Sequence, residues 1–289
     1  PLACRFGLPN IWVILGLSKR GKLVFFISRK FLSFVLATIS FAAFLVLPSA
    51  PAIAVPASTY QYQFEGNSTP SIGNSTLTLV PACGANTATP CNSSTSFGTA
   101  NGDGYLAWSS NGQRGGGFRI STPSNIGNSY SMSLKFEFAE MSYYRKIVDY
   151  LAEADDTGFY IYNNNINFYP LGSSTTTYSA NTPMSLIVTR QATTGLAGVF
   201  TVYAYSGSTL TQVLQVTDSA GSSIPASNGS GGTLFGFFFD DTATSGEATT
   251  SGKVYDIKIW SNTALTAAQV GSVATAAPTV TAPSTPGTP

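Results

Sequence analysis

Short apolar or aromatic runs, separated by clusters of Gly, Asn, Ser and Asp, make up the sequence from Tyr60 onward. In Ser131–Phe138 (SMSLKFEF) every second residue is apolar, which is the period of a strand with one face on a core. About a dozen such runs at turn-punctuated spacing predict a sandwich or a barrel. The chain is therefore expected to be all-β.

Two local signals are more specific. Asn163 and Asn164, which follow Tyr162, predict a tight hairpin because Asn tolerates left-handed backbone angles. Near the carboxyl end, Thr266 suits the N-cap of a short helix over 267–270, with Leu265 as the hydrophobic residue before the cap. This is the one helix that the sequence predicts.

The final predicted strand, 252–260, has a mixed pattern. Simple alternation places Val254, Asp256 and Lys258 on one face. The same rule places Tyr255, Ile257 and Ile259 on the other face. We therefore expect burial on both faces of this strand to be incomplete.

A secretory signal is predicted before the β-rich region. Arg29 and Lys30 precede the uncharged stretch 31–47 (FLSFVLATISFAAFLVL), and Ala52-Ile53-Ala54 is a small-x-small site of the kind that signal peptidase cleaves. The stretch is slightly shorter than a membrane span of ~20 residues, and an uncleaved anchor is the alternative. Residues 1–54 are expected to be an upstream extension and signal peptide, cleaved after Ala54. Residues 1–18 fit no signal, so the true start is expected further in, with Val24 as one candidate.

One domain is predicted over 55–274, followed by an Ala/Pro/Thr/Ser-rich linker over 275–289 that leads to further downstream modules. The mature chain is expected to be secreted, outside the cell or at its surface, without a membrane span. Since export leads to an oxidising compartment, Cys83 and Cys91, which flank a polar loop, are predicted to form a local disulfide.

Composition excludes several classes of function. The chain contains no histidine, which removes Ser-His-Asp and Cys-His catalysis and His-ligated zinc. Beyond Ala54, eight basic residues stand against thirteen acidic ones, a formal charge of −5. That balance argues against nucleic acid as a partner, because binding to phosphates needs a basic stripe.

Two segments of the chain carry a family resemblance. The segment 252–260 (GKVYDIKIW), followed by 265–270 (LTAAQV), resembles the closing strand and short helix of LamG-type domains. The pair 184–190 (MSLIVTR) and 200–207 (FTVYAYSG) is similar to the paired central strands of that family, with Met184 where Trp is common. The resemblance spans about residues 60–273, including the runs near 101–106 and 115–118. It implies a concanavalin A-like jelly-roll sandwich of two antiparallel sheets, but no particular ligand.

Retaining glucanases of that fold carry two or three carboxylates on one strand at E-x-D-x-x-E or E-x-D-x-E spacing, with the catalytic carboxyls ~5 Å apart. This sequence has no such spacing. Glu137 and Glu140, and Glu153 with Asp155 and Asp156, are the nearest approaches. The odd spacing of Glu137 and Glu140 places them on opposite faces of a strand. We therefore predict that the protein is not an enzyme.

Calcium is the one cofactor that the carboxylates suggest, because hard cations prefer six to eight oxygen ligands. The densest acidic loop contains Asp240, Asp241 and Glu247, directly after an apolar strand. The alternative site contains Asp149, Asp155 and Asp156, which flank Glu153. The other interpretation is that these are solvated carboxylates that cap turns.

Aromatic side chains are the candidates for ligand binding, since ring faces pack against sugar C–H groups. Tyr143 and Tyr144, beside Arg145 and Lys146, are the preferred exposed pair, and Trp108 is a further candidate. Tyr162, Tyr169 and Tyr178 belong to the same class. The alternative is that such residues fill the core of the sandwich.

These observations predict an extracellular, non-catalytic binding module that recognises carbohydrate or a surface protein, with calcium as an optional cofactor. A structural or adhesive spacer domain in a larger surface protein is the alternative. A glycan-active hydrolase is the least favoured.

Overall fold

The computed structural model describes the backbone of residues 2–4, 13–17, 23–27, 53–80, 92–110, 116–206, 209–240 and 250–275. The hydrophobic stretch 31–47, Cys83, Cys91, Asp241, Glu247 and the segment 276–289 lie outside the described residues. The secretory signal, the disulfide and the linker therefore stay predictions.

The chain divides into two units, Pro1–Ala50 and Pro51–Pro289. The first contains a three-stranded antiparallel sheet of β1 (Leu2–Cys4), β2 (Val13–Leu17) and β3 (Leu23–Ile27). Among the described residues, no helix has the length and hydropathy that crossing a bilayer requires.

The second unit contains the β-rich region. Its elements are β4 (Tyr60–Tyr62), β5 (Thr76–Leu79), β6 (Asn92–Ala100), β7 (Asp103–Ser110), β8 (Phe118–Ser121), β9 (Tyr130–Phe138), β10 (Tyr144–Asp149), β11 (Gly158–Tyr162), β12 (Asn165–Tyr169), β13 (Gly172–Thr177), β14 (Met184–Ala192), β15 (Gly198–Ser206), β16 (Thr209–Asp218), β17 (Leu234–Phe237), β18 (Gly252–Trp260) and α1 (Ala267–Thr275).

These strands form two antiparallel sheets. The smaller sheet has the order β13-β12-β11-β10-β17-β8-β5. The larger sheet has the order β16-β15-β14-β9-β18-β7-β6, with β4 beside β18. Sequential strands are often separated in these orders, as when β17 lies between β10 and β8. The predicted all-β sandwich of two antiparallel sheets with one short helix is confirmed.

The core lies between the sheets and consists of the inward residues of both. In β9, Met132, Leu134 and Phe136 are fully buried and belong to one continuous cluster that also contains Phe159 and Phe168 of the smaller sheet. Each such side chain contributes about 1.5–3 kcal/mol on burial. Inward and outward residues alternate along each strand, so the residues between the core positions point outward and are the ones available for binding.

The expected face pattern of β18 is wrong in one respect. Val254, Ile257 and Ile259 all belong to the core cluster, although simple alternation separates Val254 from the other two. The pairing with β9 shifts between Val254 and Asp256, so Tyr255 is an extra residue. A bulge of one residue exchanges the two faces of the strand beyond it.

The hairpin and the helix are as predicted. Tyr162 pairs with Asn165, and the turn residues Asn163 and Asn164 have φ angles of 45° and 72°. Two positive φ angles define a type I′ turn. At α1, the Gln269 amide donates to Thr266 Oγ1 at 3.3 Å, and the Thr266 amide donates to Gln269 Oε1 at 3.0 Å, which is a capping box.

Candidate functional site

Four tyrosines, Tyr144, Tyr160, Tyr162 and Tyr169, form a cluster on the outer face of the smaller sheet, here called the tyrosine cluster. Tyr160 and Tyr162 alternate along β11 with Phe159 and Ile161, which are in the core, so they lie on the opposite face. The antiparallel register places Tyr144 of β10 directly across from Tyr162.

The ring of Tyr144 is the centre of the cluster. Its centroid lies 4.1 Å from that of Tyr162, with 24° between the planes. The centroids of Tyr160 and Tyr169 lie 5.4 and 5.8 Å away in edge-to-face contact. Tyr169 is 40% exposed, whereas Tyr160 is buried. The neighbours therefore hold the exposed rings in place, so little conformational entropy remains to be lost on binding.

A small cavity of about 140 Å³ opens between these rings, lined by Tyr144, Asp156, Tyr160 and Tyr169. The Tyr160 hydroxyl donates to the Asp156 carbonyl oxygen at 2.6 Å. Asn167 lies directly across the sheet from Tyr160, and its Nδ2 donates to Ser173 Oγ at 2.6 Å. Three tyrosine rings and one acidic residue, Asp156, thus lie side by side at one small opening.

Tyr143 lies beside the cluster, in the turn before β10. It is 71% exposed, has a φ of 55°, and its amide donates to Asn163 Oδ1 at 2.9 Å. The predicted Tyr143–Tyr144 pair is thus on the surface. Tyr144 belongs to the cluster, and Tyr143 is the exposed residue that precedes it in the chain.

Trp108 is a core residue, which corrects the prediction that it binds ligand. Its indole stacks on Phe238 with centroids 4.6 Å apart, and its Nε1 donates to the Thr250 carbonyl at 3.0 Å. A side chain at Gly116, where φ is 106°, would collide with the indole ring. The glycine at 116 is therefore explained by close packing on Trp108.

Three of the residues proposed as calcium ligands contact Lys146: Asp240 of the first set, and Asp149 and Asp155 of the alternative set. The Nζ of Lys146 lies 3.0 Å from Asp149 Oδ2 and 3.5 Å from Asp240 Oδ1, and it donates to the Asp155 carbonyl at 3.1 Å. The ammonium also lies 5.0 Å from the ring centroid of Tyr160. Burial raises the pKa of Asp149, and the charge of Lys146 opposes that rise. The ammonium group of Lys146 therefore supplies the positive charge beside the carboxylates of Asp149 and Asp240.

The remaining predicted ligands are arranged differently. The Asp155 carboxylate accepts from the Thr157 amide at 2.7 Å and so caps a turn. Asp156 lines the tyrosine cavity. Within the part of the chain that the structure describes, no three His, Cys, Asp or Glu side chains are arranged to hold a metal ion.

The two glutamates considered for hydrolysis have separate partners. Glu137 accepts from Lys253 Nζ and, at 3.0 Å, from the Tyr255 hydroxyl. Glu140 accepts from Arg145 Nη2 at 2.7 Å. Each carboxylate is thus bound to a different cation.

Two features of the site are not evident from sequence reasoning: the ring-to-ring contacts of Tyr160, and the role of Lys146. The only sequence signal for Lys146 is that it lies three residues before Asp149, where the nearer acidic loop begins; the other acidic loop, which contains Asp240, is distant in the chain. Its contact with Asp240 becomes visible only when β10 is placed beside β17.

No family profile and no curated protein matches the chain. Among solved structures, the binding domain of botulinum neurotoxin serotype C1 is 12% identical, with 76% of this chain and 52% of that one covered and a TM-score of 0.41. A Trypanosoma rangeli sialidase in complex with 2,3-difluorosialic acid is 13% identical, with 79% and 35% covered and a TM-score of 0.47. The CBM2 module of the evolved Dit of Lactobacillus casei BL23 phage J-1 is 14% identical, with 73% and 98% covered and a TM-score of 0.32.

The chain thus spans about half of the toxin domain and about a third of the sialidase. The two-sheet architecture rests on the strand pairing described above, and membership of the LamG type stays a prediction.

Proposed function

We propose that this protein is an extracellular, non-catalytic carbohydrate-binding module of LamG-like type, and that the tyrosine cluster is its sugar-binding surface. The observation that carries the proposal is the contact of four tyrosine rings, three of which (Tyr144, Tyr160 and Tyr169) line a small opening together with Asp156. Secretion and the Cys83–Cys91 disulfide belong to the same proposal.

Sugar rings have one face of C–H groups and a rim of hydroxyls. The exposed ring of Tyr169 offers apolar surface to the C–H face of a sugar. Asp156, which lines the same opening, offers a carboxylate to the sugar hydroxyls. Aromatic contacts of this kind contribute about 0.5–1.5 kcal/mol each beyond the area that they bury. The resulting affinity is modest and suits a surface module that acts in several copies.

The absence of catalysis is part of the proposal for two reasons. The chain has no histidine to act as a proton shuttle. Glu137 is held by Lys253 and Tyr255, and Glu140 by Arg145, so they do not form the paired acid and nucleophile that retaining hydrolysis needs.

Calcium assistance is not needed at Lys146, because its ammonium already bridges Asp149 and Asp240. A role for calcium therefore depends on Asp241 and Glu247. Glycan binding measured with calcium and with a chelator distinguishes calcium-dependent from calcium-independent recognition. We expect equal binding under the two conditions.

The test is a glycan array, followed by titration of the best ligand into three proteins: the wild type, Tyr169→Ala and the control Leu196→Ala. Leu196 is an exposed apolar residue at 60%, in the turn between β14 and β15. We expect Tyr169→Ala to weaken binding about tenfold, a loss of about 1.4 kcal/mol, and Leu196→Ala to leave it unchanged.

Equal affinity of wild type and Tyr169→Ala would contradict the assignment of the surface. An array without any bound glycan would contradict carbohydrate recognition and favour the adhesive-spacer alternative.

A further inference from the structure

The opening in the tyrosine cluster has three aromatic walls and one acidic wall. The rings of Tyr160 and Tyr169 both stand nearly perpendicular to that of Tyr144, at 79° and 78°. Asp156 completes the lining of the cavity of about 140 Å³. The face of a tyrosine ring is electron-rich and attracts a cation that lies within about 6 Å of the ring centroid. Aromatic rings and a carboxylate around one small space therefore favour a positively charged group.

A cation of the protein itself lies over one of these rings. Lys146 is directly across from Tyr160 in the sheet, and its Nζ lies 5.0 Å from the centroid of that ring. The Lys146 side chain is fully buried, and among the described residues it is not one of those that line the opening. The tyrosine cluster thus stabilises one ammonium group from within the protein, and a second one can reach the cluster from solvent through the opening.

The charge near the opening is negative. Among the lining residues in the described part of the chain, Asp156 is the only charged one. The charge of Lys146 does not cancel that of Asp156, because Lys146 already faces two carboxylates, those of Asp149 and Asp240. Asp155 adds a further carboxylate one residue before Asp156. Carboxylates thus outnumber ammonium groups among these five residues, which disfavours an acidic sugar and attracts a cationic one.

The carboxylate also selects the kind of cation. An ammonium group with N–H bonds can donate charge-assisted hydrogen bonds to Asp156, whereas a quaternary ammonium group cannot. A sugar with an unacetylated amino group carries such an ammonium directly on its ring. It can place its C–H face on Tyr169, which is 40% exposed, and its ammonium group in the opening. Acetylation would remove the positive charge.

We propose that the glycan bound by the tyrosine cluster is an amino sugar with a free, positively charged amino group, as in chains of β-1,4-linked glucosamine. The ammonium group lies in the opening, between the rings of Tyr144 and Tyr160 and the carboxylate of Asp156. This inference rests on the proposed function, since it names the class of sugar that the same surface binds. It adds selection by charge among sugars that have the same shape.

The experiment compares three hexasaccharides that share a β-1,4-linked backbone, those of glucosamine, N-acetylglucosamine and glucose. On the same ring carbon they carry an ammonium group, a neutral acetamide and a hydroxyl. Each is titrated into the full chain by calorimetry, in a mildly acidic buffer that keeps the amino groups protonated. We expect the glucosamine chain to bind at least about tenfold more tightly than the other two. Added salt should reduce this preference, because the attraction is electrostatic.

Two matched variants test the role of Asp156. Asp156→Asn removes the negative charge from the opening and keeps the size of the side chain. The control Asp155→Asn removes the same charge one residue away, where the carboxylate accepts from the Thr157 amide and is not part of the described lining. We expect Asp156→Asn to abolish the preference for glucosamine without changing the affinity for the glucose chain, and Asp155→Asn to retain the preference. Circular dichroism melting checks that both variants fold.

Tyr169→Ala separates this inference from the proposed function. Equal affinities for the three hexasaccharides, all weakened by Tyr169→Ala, would overturn recognition of the amino group and support the tyrosine cluster as a sugar-binding surface. A preference for glucosamine that both aspartate variants reduce equally would also overturn the inference, because the overall charge of the protein would then explain it. Binding of none of the three hexasaccharides overturns the amino-sugar assignment, and the glycan array tests carbohydrate recognition separately.

Discussion

At the residue scale, two tyrosine hydroxyls differ in whether they have a hydrogen-bond partner. The hydroxyl of Tyr62 is hydrogen-bonded to Ser75 Oγ at 2.9 Å. The hydroxyl oxygen of Tyr178 is buried without a hydrogen-bond partner in the described part of the chain, and burial raises its pKa to about 12. An unsatisfied buried hydroxyl costs about 1–3 kcal/mol, whereas a satisfied one contributes about 1 kcal/mol.

We therefore predict that Tyr178→Phe raises the free energy of unfolding by about 1 kcal/mol, and that the matched Tyr62→Phe lowers it by about as much. Urea denaturation of the three proteins at neutral pH measures both changes. A clear loss of stability in Tyr178→Phe would mean that its hydroxyl has a partner, and the explanation given above would be wrong.

Lys146 gives the second prediction at this scale. Its side chain and that of Asp149 are fully buried, and Asp240 is almost so. Lys146→Ala removes the ammonium group that Asp149 and Asp240 share, which lowers the free energy of unfolding by about 3–5 kcal/mol. In the control Lys135→Ala, the side chains of the lost pair, Lys135 and Asp103, are 37% and 28% exposed, so the loss is about 0–1 kcal/mol.

The same variants test the calcium prediction. Lys146→Ala opens a space beside Asp149 and Asp240, so millimolar calcium should raise its melting temperature more than that of the wild type. Equal shifts in both proteins would show that calcium does not enter this space. A large shift of the wild type would instead support a site that contains Asp241 and Glu247.

At the element scale, the β11–β12 hairpin positions two members of the tyrosine cluster, Tyr162 and Tyr169. Its turn needs a φ of 72° at Asn164. Asn164→Val should lower the free energy of unfolding by about 1–2 kcal/mol, because a β-branched residue is strained there, while Asn164→Gly should not. Chemical denaturation compares the variants. Equal stability of Val and Gly at 164 would contradict a type I′ turn in solution.

The success of prediction differs among the elements for physical reasons. β9 was predictable because its apolar residues alternate strictly, and the hairpin because Asn residues mark the turn. β6 and β13 were not, since NSSTSFGTA and GSSTTT carry almost no apolar alternation and form by pairing with a neighbour at a sheet edge. In β18, periodicity does not reveal where a bulge inserts a residue.

At the scale of the whole molecule, the candidate site depends on contacts that the sequence pattern does not contain. Tyr144 was a candidate from its position beside Tyr143, but its stacking on Tyr162 follows from strand register. Trp108 resembles a binding residue in the sequence, and only the packing of Phe238 against it shows that it is buried. Residue types therefore suggested the chemistry, and the topology decided which residues meet.

One end of the sandwich is closed by a buried ion pair, Arg190 with Asp218, whose charged atoms are 3.4 Å apart. Arg190 Nη1 donates to the Asn128 carbonyl at 2.5 Å, and Arg190 Nη2 donates to the Leu196 carbonyl at 2.6 Å. Asp218 accepts from the Ser223 amide at 2.8 Å and from its hydroxyl at 2.5 Å. Three loops that are distant in the sequence are thus held together by one pair.

Because of this ion pair, the free energy of unfolding is expected to depend on pH in the acidic range. Burial alone would raise the pKa of Asp218, but the hydrogen bonds of Ser223 and the charge of Arg190 outweigh it, so the pKa is lowered below its ordinary value. A carboxyl whose pKa is lower in the folded state adds stability above the unfolded pKa, about 3.9, and that stability is lost as pH falls through the folded pKa.

The difference in free energy of unfolding between wild type and Asp218→Asn should therefore be constant from about pH 7 to about pH 5 and should shrink below about pH 4. The control Asp155→Asn alters an exposed carboxylate that caps a local turn, and its difference should stay small throughout. Denaturation at a series of pH values measures both. A wild-type advantage over Asp218→Asn that grows as the pH falls would reverse the sign of the linkage, because protonated Asp218 would then stabilise the folded state more than ionised Asp218 does.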